Sequence, residues 1–249
     1  MNTNRKETIK HCIAASILIL AVCIVISIII KYQVKGETDM PFNLSKITII
    51  STAEGSEKAL QEGEEPAKWN MDINQNNDIY IFIDKNDEYK KETKIESITI
   101  ENISVDALPK KGTVKAYMPS SKEGRTFVNN EDFLVKDKLT YTGAKTSNEK
   151  NLEIGNQGGK VLIRFTNTGV ETYKSNEDTE VVHDGTLLAK TGVVNEEINF
   201  KVSFDFIMSI GKIKYKAKIN LNLPYGDILT EGTSQIEKTE LRDIIFKRM

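Results

Sequence analysis

Hydrophobic and polar positions are arranged in two different ways along this chain. Residues 12 to 30, CIAASILILAVCIVISIII, form an unbroken uncharged run of nineteen in which twelve are Ile, Leu or Val. As a helix rising about 1.5 Å per residue it reaches about 28 Å, close to the ~30 Å hydrocarbon core of a bilayer. A removable signal carries a shorter apolar region of roughly 7 to 15 residues followed by a small-x-small cleavage site. Neither feature is present, and Lys31 and Tyr32 suit the water interface, the lysine snorkelling and the ring lying among head groups. The tetrapeptide LAVC resembles the lipoprotein cleavage box, which would make Cys23 a lipidated terminus. Val22 is too bulky for that motif, and seven more apolar residues follow where it would turn polar. A retained helix over residues 11–31 is the expectation.

Beyond the run the apolar positions recur at every second residue, the period of strands. They predict strands near residues 46–51, 68–73, 78–84, 95–105, 113–118, 133–142 and 160–167, then a final pair. In DIYIFID, Ile79, Ile81 and Ile83 share one face and Tyr80 and Phe82 the other, as in a strand covered on both sides. In VLIRFTNTG, Val161, Ile163 and Phe165 point inward. The strongest alternation comes last. Ile198, Phe200, Val202, Phe204 and Phe206 face one way, and so do Ile213, Tyr215, Ala217, Ile219, Leu221 and Leu223. With Gly211 between them and Pro224 after them, they predict a long hairpin laid on the core. The tail KTELRDIIFKRM fits a helix through Leu241, Ile244 and Ile245 and a strand through DIIF. No long helical periodicity occurs after the apolar run, so the predicted fold is all-β: an antiparallel sandwich, Ig-like or jelly-roll-like, preceded by one transmembrane helix.

Arg5, Lys6 and Lys10 precede the apolar run and Lys31 and Lys35 follow it, a bias that places residues 1–10 in the cytoplasm. Residues 32–45 then read as a juxtamembrane linker and 46–249 as an extracytoplasmic β domain, either undivided or split into two subdomains near 145–158. Of 34 Lys/Arg and 36 Asp/Glu, five and one lie before position 36, leaving 29 basic and 35 acidic residues outside, a net charge of −6. That balance argues against nucleic acid as a partner. Both cysteines, Cys12 and Cys23, fall inside the apolar run, so the β domain has no disulfide, thiol nucleophile or thiolate ligand and is stabilised by packing. His183 is its only histidine, which excludes a zinc site built on histidine pairs. Asp184 is its neighbour, but adjacent side chains on extended backbone diverge, so the pair is no evidence of a catalytic relay.

Short motifs weigh little. GNQGGK, residues 155–160, is one residue too short for a phosphate loop, has Val161 where Ser or Thr should hold magnesium, and precedes a strand; it reads as a turn. DINQNND places Asp72, Asn74, Asn76 and Asp78 at alternate positions of a calcium loop. Asn77 replaces the turn glycine and Ile83 the bidentate glutamate, so an Asn-rich hairpin turn is expected there instead. Asn43 and Asn102 match the glycosylation acceptor, which matters only in a eukaryotic secretory context. Trp69, the sole tryptophan, reads as a core residue. No cofactor or metal is implied.

The stretches MPFNLSKITIISTAEG, NQGGKVLIRF and LRDIIFKR are similar to uncharacterised single-pass membrane proteins of low-GC Gram-positive bacteria, over the whole length. The resemblance implies a cell-envelope location and an extracytoplasmic β domain; that group has no assigned activity and carries no functional residue over. The expected role is therefore a membrane-tethered binding or scaffolding domain whose partner is an envelope protein or an anionic cell-wall polymer. The alternative is an envelope hydrolase using paired carboxylates. One surface feature fits the first role: Lys212, Lys214, Lys216 and Lys218 alternate with buried residues and stand roughly 6.8 Å apart on one face of the last strand. They read as an edge-protecting comb or as a strip for an anionic ligand.

Overall fold

The computed structural model describes residues 3–59, 63, 65, 67–120, 126–143, 152–176 and 186–249. Helix α1 (Thr3–Lys35) contains a 24-residue apolar stretch, Ile9–Tyr32, long enough and apolar enough to cross a bilayer. Its side chains are exposed from Ile9 to Lys31. Six residues, 36–41, separate the helix from the first strand.

Among the described residues eleven strands follow: β1 (Phe42–Glu57), β2 (Trp69–Lys85), β3 (Ile95–Ala107), β4 (Thr113–Tyr117), β5 (Lys138–Gly143), β6 (Glu153–Ile154), β7 (Gly158–Ser175), β8 (Phe200–Ile210), β9 (Ile213–Leu223), β10 (Thr233–Lys238) and β11 (Lys247–Arg248). They form two sheets, ordered β10-β1-β2-β7-β4 and β11-β9-β8-β3-β5-β6. Every pairing is antiparallel except the short β5–β6 contact. The sheets pack face to face as a sandwich. Phe165 of β7 stacks on Phe204 of β8 at 6.2 Å between ring centroids. The Tyr141 hydroxyl, on β5, reaches across to β7, donating to the Leu162 carbonyl at 2.6 Å and accepting its N–H at 3.0 Å.

The final hairpin is as expected except at Ile198, which ends a helical turn before the strand begins at Phe200. Phe200 pairs with Leu223 and Ile210 with Ile213, and Gly211 at the turn adopts φ 59°, a conformation costly for other residues. The GNQGGK segment is a turn closed by the Gly158 N–H on the Gly155 carbonyl at 3.2 Å. In the tail, β10 pairs with β1, residues 241–244 turn, and β11 pairs with β9 while Phe246 enters the core.

The strand expected over 133–142 begins only at Lys138, after a 3-10 turn at Glu131–Phe133. A further expectation fails in β2. Residues 72–78 are not a hairpin turn; β2 runs straight through them, and residues 68–73 and 78–84 are halves of a single strand. The reason lies in what the amides meet. Facing inward along β2 are Met71, Ile73, Gln75, Asn77, Ile79, Ile81 and Ile83, all buried. Asn77 is satisfied inside the protein: Ser51 Oγ donates to its Oδ1 at 2.8 Å, and its Nδ2 donates to the Phe165 carbonyl at 3.1 Å. Ser51 Oγ in turn accepts the Tyr225 N–H at 3.1 Å. A buried amide with its partners supplied is no penalty to a strand.

These residues divide the interior. Ser51 on β1, Gln75 and Asn77 on β2, and Asn167 on β7, all fully buried, form a polar belt across three strands. On one side lies the main core between the sheets. On the other lies a smaller cluster of Ala53, Met71, Ile73 and Val170. It is covered by three one-turn helices, α2 (Leu187–Lys190), α3 (Asn195–Ile198) and α4 (Ile228–Glu231), which contribute Leu187, Leu188, Ile198, Ile228 and Leu229. Trp69 packs against this cluster. Strands β1, β2 and β7 run through both clusters.

The outer face of β2 is covered differently from the two-sided burial expected. Tyr80 and Phe82 are half-buried, with Lys160 Nζ 5.7 Å from the Tyr80 ring centroid and Lys46 Nζ 4.8 Å from that of Phe82.

Candidate functional site

The strand that replaces the expected turn also sets the floor of a cleft. On β2, Asn74, Asn76, Asp78 and Tyr80 all project to the outer face, opposite the core. Neighbouring strands bring Glu54 from β1 and Arg164 and Thr166 from β7, and residues 126–129 form one wall. The cleft has a volume of about 790 Å³.

Its polar groups hold one another. Arg164 grips Asp78 in a two-pronged pair, Nε on Oδ1 and Nη2 on Oδ2, the latter at 2.9 Å. Its third prong, Nη1, donates to Asn129 Oδ1 at 3.2 Å, and its guanidinium lies over the Phe127 ring at 4.8 Å. Asn129 Nδ2 donates to Asn76 Oδ1 at 2.9 Å, Thr166 Oγ1 donates to the same oxygen at 2.8 Å, and Asn76 Nδ2 donates to Glu54 Oε2 at 2.8 Å. Asn74 Oδ1 accepts the Gly169 N–H at 2.9 Å. Burial, and then the charge of Asp78, push the Tyr80 phenol above its ordinary pKa against the opposing effects of Arg164 and Thr126; it is a neutral hydroxyl at physiological pH.

Two carboxylates share this cleft, Glu54 and Asp78, but they are not equivalent. Each oxygen of Asp78 accepts from Arg164, so the carboxylate is fixed in place by the guanidinium. Glu54 is exposed. The alternate oxygens of Asp72, Asn74, Asn76 and Asp78 are spread along roughly 20 Å of strand instead of converging as a calcium loop requires. Asp72 Oδ1 accepts from Thr172 Oγ1 at 2.9 Å. Among the described residues no group of three or more His, Cys, Asp and Glu side chains could hold a metal ion. His183 and Asp184 lie outside the described residues.

The four lysines of β9 and the turn before it occupy unequal surroundings. Lys216 is half-buried and forms an ion pair with Asp205 Oδ2 at 2.7 Å. The same oxygen accepts from Asn102 Nδ2 at 2.7 Å, which occupies a bulge of β3 with φ 52°. Burial pushes the Asp205 carboxyl up, but the hydrogen bonds from Lys216 and Asn102 and the charges of Lys216 and Lys218 outweigh it and hold the group below the usual range. Lys218 lies beside both Asp205 and Asp106, whose carboxyl is lowered by the nearby Ser203 and Ser104 hydroxyls and then by the charges of Lys218 and Lys201. Lys212 and Lys214 are exposed at the turn. The Lys214 carbonyl accepts the Met249 N–H at 2.9 Å, and Lys247 on β11 stands opposite Lys216. The comb is thus half neutralised: two lysines sit beside carboxylates, while two project at the end where the tail returns.

That tail meets the helix exit. Arg248 lies between the rings of Tyr32, at 5.5 Å, and Tyr215, at 5.8 Å, with Nη2 3.0 Å from Glu37 Oε2. The chain matches no protein-family profile, no curated protein and no solved structure.

Sequence reasoning missed the cleft because its members come from four separated stretches. The one available signal was the alternation of Asn74, Asn76 and Asp78 with Gln75 and Asn77 in a segment without glycine or proline, which favours a strand over a turn.

Proposed function

We propose that this chain is a single-pass protein of the cell envelope, retained by its apolar helix as a signal-anchor, with residues 1–10 cytoplasmic and the β domain outside as a binding or scaffolding module. The observation that carries this reading is the fastening of the β domain to the helix exit. Glu37, five residues beyond Tyr32, donates its backbone N–H to the Phe246 carbonyl at 2.7 Å, and Arg248 bridges Tyr32 and Tyr215. A domain fixed so close to the end of a bilayer-length helix suits presentation of a surface at the membrane. Its partner is an envelope protein or an anionic cell-wall polymer, the latter meeting Lys212, Lys214 and their neighbours.

The second reading, a hydrolase, is favoured by Glu54 and Asp78 sharing one cleft. The Arg164 pairing of Asp78 weighs against it, because hydrolysis by two carboxylates needs both available at the scissile bond. The deciding experiment is crosslinking and pull-down from native membranes, beside a reporter fused after Met249 that is active only outside the cytoplasm. A specific partner and an active reporter support the proposal; an inactive reporter, or a processed terminus at Cys23 or near Lys31, overturns the topology.

A further inference from the structure

Resting on the reading of the β domain as a binding module, we propose that the cleft framed by Glu54, Asn74, Asp78, Tyr80, Asn129 and Arg164 is its ligand site, and that the ligand is a neutral, polyhydroxylated one, a glycan segment.

The shape argument comes first. A cleft of about 790 Å³ falls among the roughly 300–1,000 Å³ typical of small-molecule sites. Its floor is three adjacent strands whose inner faces are packed core, so it is preformed. Side chains at the surface are tied to buried ones: exposed Asn129 is held by Asn76, Thr166 and Arg164 at once. Groups fixed in this way lose little freedom when a ligand arrives.

Charge then selects the ligand. An anion would meet Glu54 and Asp78, and the one guanidinium among the described lining residues is already compensated by Asp78. A cation would find Asp78 occupied and only Glu54 to hold it. An apolar ligand would strand the amides and carboxylates without water. Hydroxyl groups both donate and accept, so they fit the Glu54 carboxylate, the Asn74 and Asn129 amides and the Thr126 and Tyr80 hydroxyls together. The neutral state of the Tyr80 phenol keeps that group a donor as well as an acceptor. With Asp78 engaged, the cleft holds such a chain without cutting it.

The test uses the full-length protein in phosphatidylcholine nanodiscs, free of sugar-based detergent. Chitohexaose, cellohexaose and maltohexaose are titrated by calorimetry and by saturation-transfer NMR, beside Glu54→Ala, Tyr80→Phe and the control Lys90→Gln/Lys91→Gln, a pair exposed away from the cleft, each verified as folded by its melting curve. The expected result is saturable binding of at least one oligosaccharide, weakened at least about fivefold by Glu54→Ala and by Tyr80→Phe and unchanged in the lysine variant. Binding of none, or equal binding by the cleft variants, overturns the proposal. The broader reading fails separately. If native-membrane pull-down captures the same partner with wild type and with Glu54→Ala, the domain is a binding module whose site is elsewhere; if it captures none, the binding-module reading fails.

Discussion

The backbone N–H of Glu37 donates to the carbonyl of Phe246 at 2.7 Å, joining the first residues after the apolar helix to residues at the far end of the chain. Around that bond the side chains interlock. Phe246 packs edge-on against Phe206 at 6.3 Å in the main core, and Gly36, at φ 81°, has no room for a side chain, because a Cβ would overlap Ile245 Cγ2. The domain therefore cannot swing freely on the linker expected over 32–45.

The clamp should fail in two distinguishable ways. Phe246→Ala removes a core ring and should destabilise the domain by roughly 3–4 kcal/mol. Gly36→Ala should cost about 1–2 kcal/mol from the left-handed backbone alone, plus the displacement of Ile245. Limited proteolysis in nanodiscs should then cut residues 36–41 in both variants and spare them in the wild type. Equal protection in all three would mean the tail does not hold the exit segment.

A second prediction concerns the belt. Both polar atoms of the Gln75 side chain are buried without a hydrogen-bond partner among the described residues. Leaving such groups unpaired costs about 1–3 kcal/mol, and methionine matches glutamine in length without needing partners. Gln75→Met should therefore raise the melting temperature, by about 2–4 °C for each kcal/mol recovered in a domain of this size. Asn77→Leu should do the opposite, since it strands Ser51 and the Phe165 carbonyl. A fall in Gln75→Met would show that Gln75 has a partner, such as a buried water.

The elements legible in the sequence were those with one purpose per face. The apolar run needs only length and hydropathy. The β8–β9 hairpin and the alternation at Ile79–Ile83 and Val161–Phe165 need only period two. What escaped was the use of one polar segment for two tasks: Gln75 and Asn77 split the core while Asn76 and Asp78 floor the cleft. Asn-rich composition suggests a turn because its usual partner is water. Here Ser51, Thr166, Asn129 and Arg164 supply the partners, and each lies more than twenty residues away in sequence. The helices α2, α3 and α4 escaped for another reason, since one turn has no periodicity to detect.

Breaking the Arg164–Asp78 pair one residue at a time should be more harmful than removing both. Their side chains are only 11% and 15% exposed, so a lone survivor is a poorly solvated charge. Arg164→Met and Asp78→Leu should each cost about 3 kcal/mol, and the double variant clearly less than their sum. Chemical denaturation of the four proteins completes the cycle, and strict additivity would mean the pair is not coupled.

Acid sensitivity should be traceable to Asp205. Its folded-state pKa is depressed, so its contribution is fully present above the ordinary carboxylate range near pH ~4 and is lost as pH falls through the lower folded value. Lys216, Lys218 and Asn102 face it favourably, and Glu101 stands opposite on β3. Melting temperatures between about pH 5 and pH 2 should fall less steeply in Asp205→Asn than in the wild type, with a lower plateau at neutral pH. Parallel curves would place the acid-sensitive group elsewhere.

The last prediction separates the two halves of the lysine comb. Lys216 is bound to Asp205 and Lys218 lies beside two carboxylates, so these charges are spent within the protein; Lys212 and Lys214 project at the turn next to the returning tail. If the strip docks an anionic envelope polymer, the exposed pair should supply the attraction. That attraction acts over a Debye length of about 8 Å at physiological ionic strength and lengthens as salt is diluted. Binding of the full-length protein in neutral nanodiscs to lipoteichoic acid should therefore fall steeply between low and physiological salt. Lys212→Gln/Lys214→Gln should abolish most of it without changing stability. Lys216→Gln should instead lower the melting temperature by uncovering Asp205, while leaving most of the binding intact. Should Lys216→Gln weaken binding as much as the pair does, the strip acts as a whole; should no variant matter at either salt concentration, the lysines serve only to keep the edge of the sheet in water.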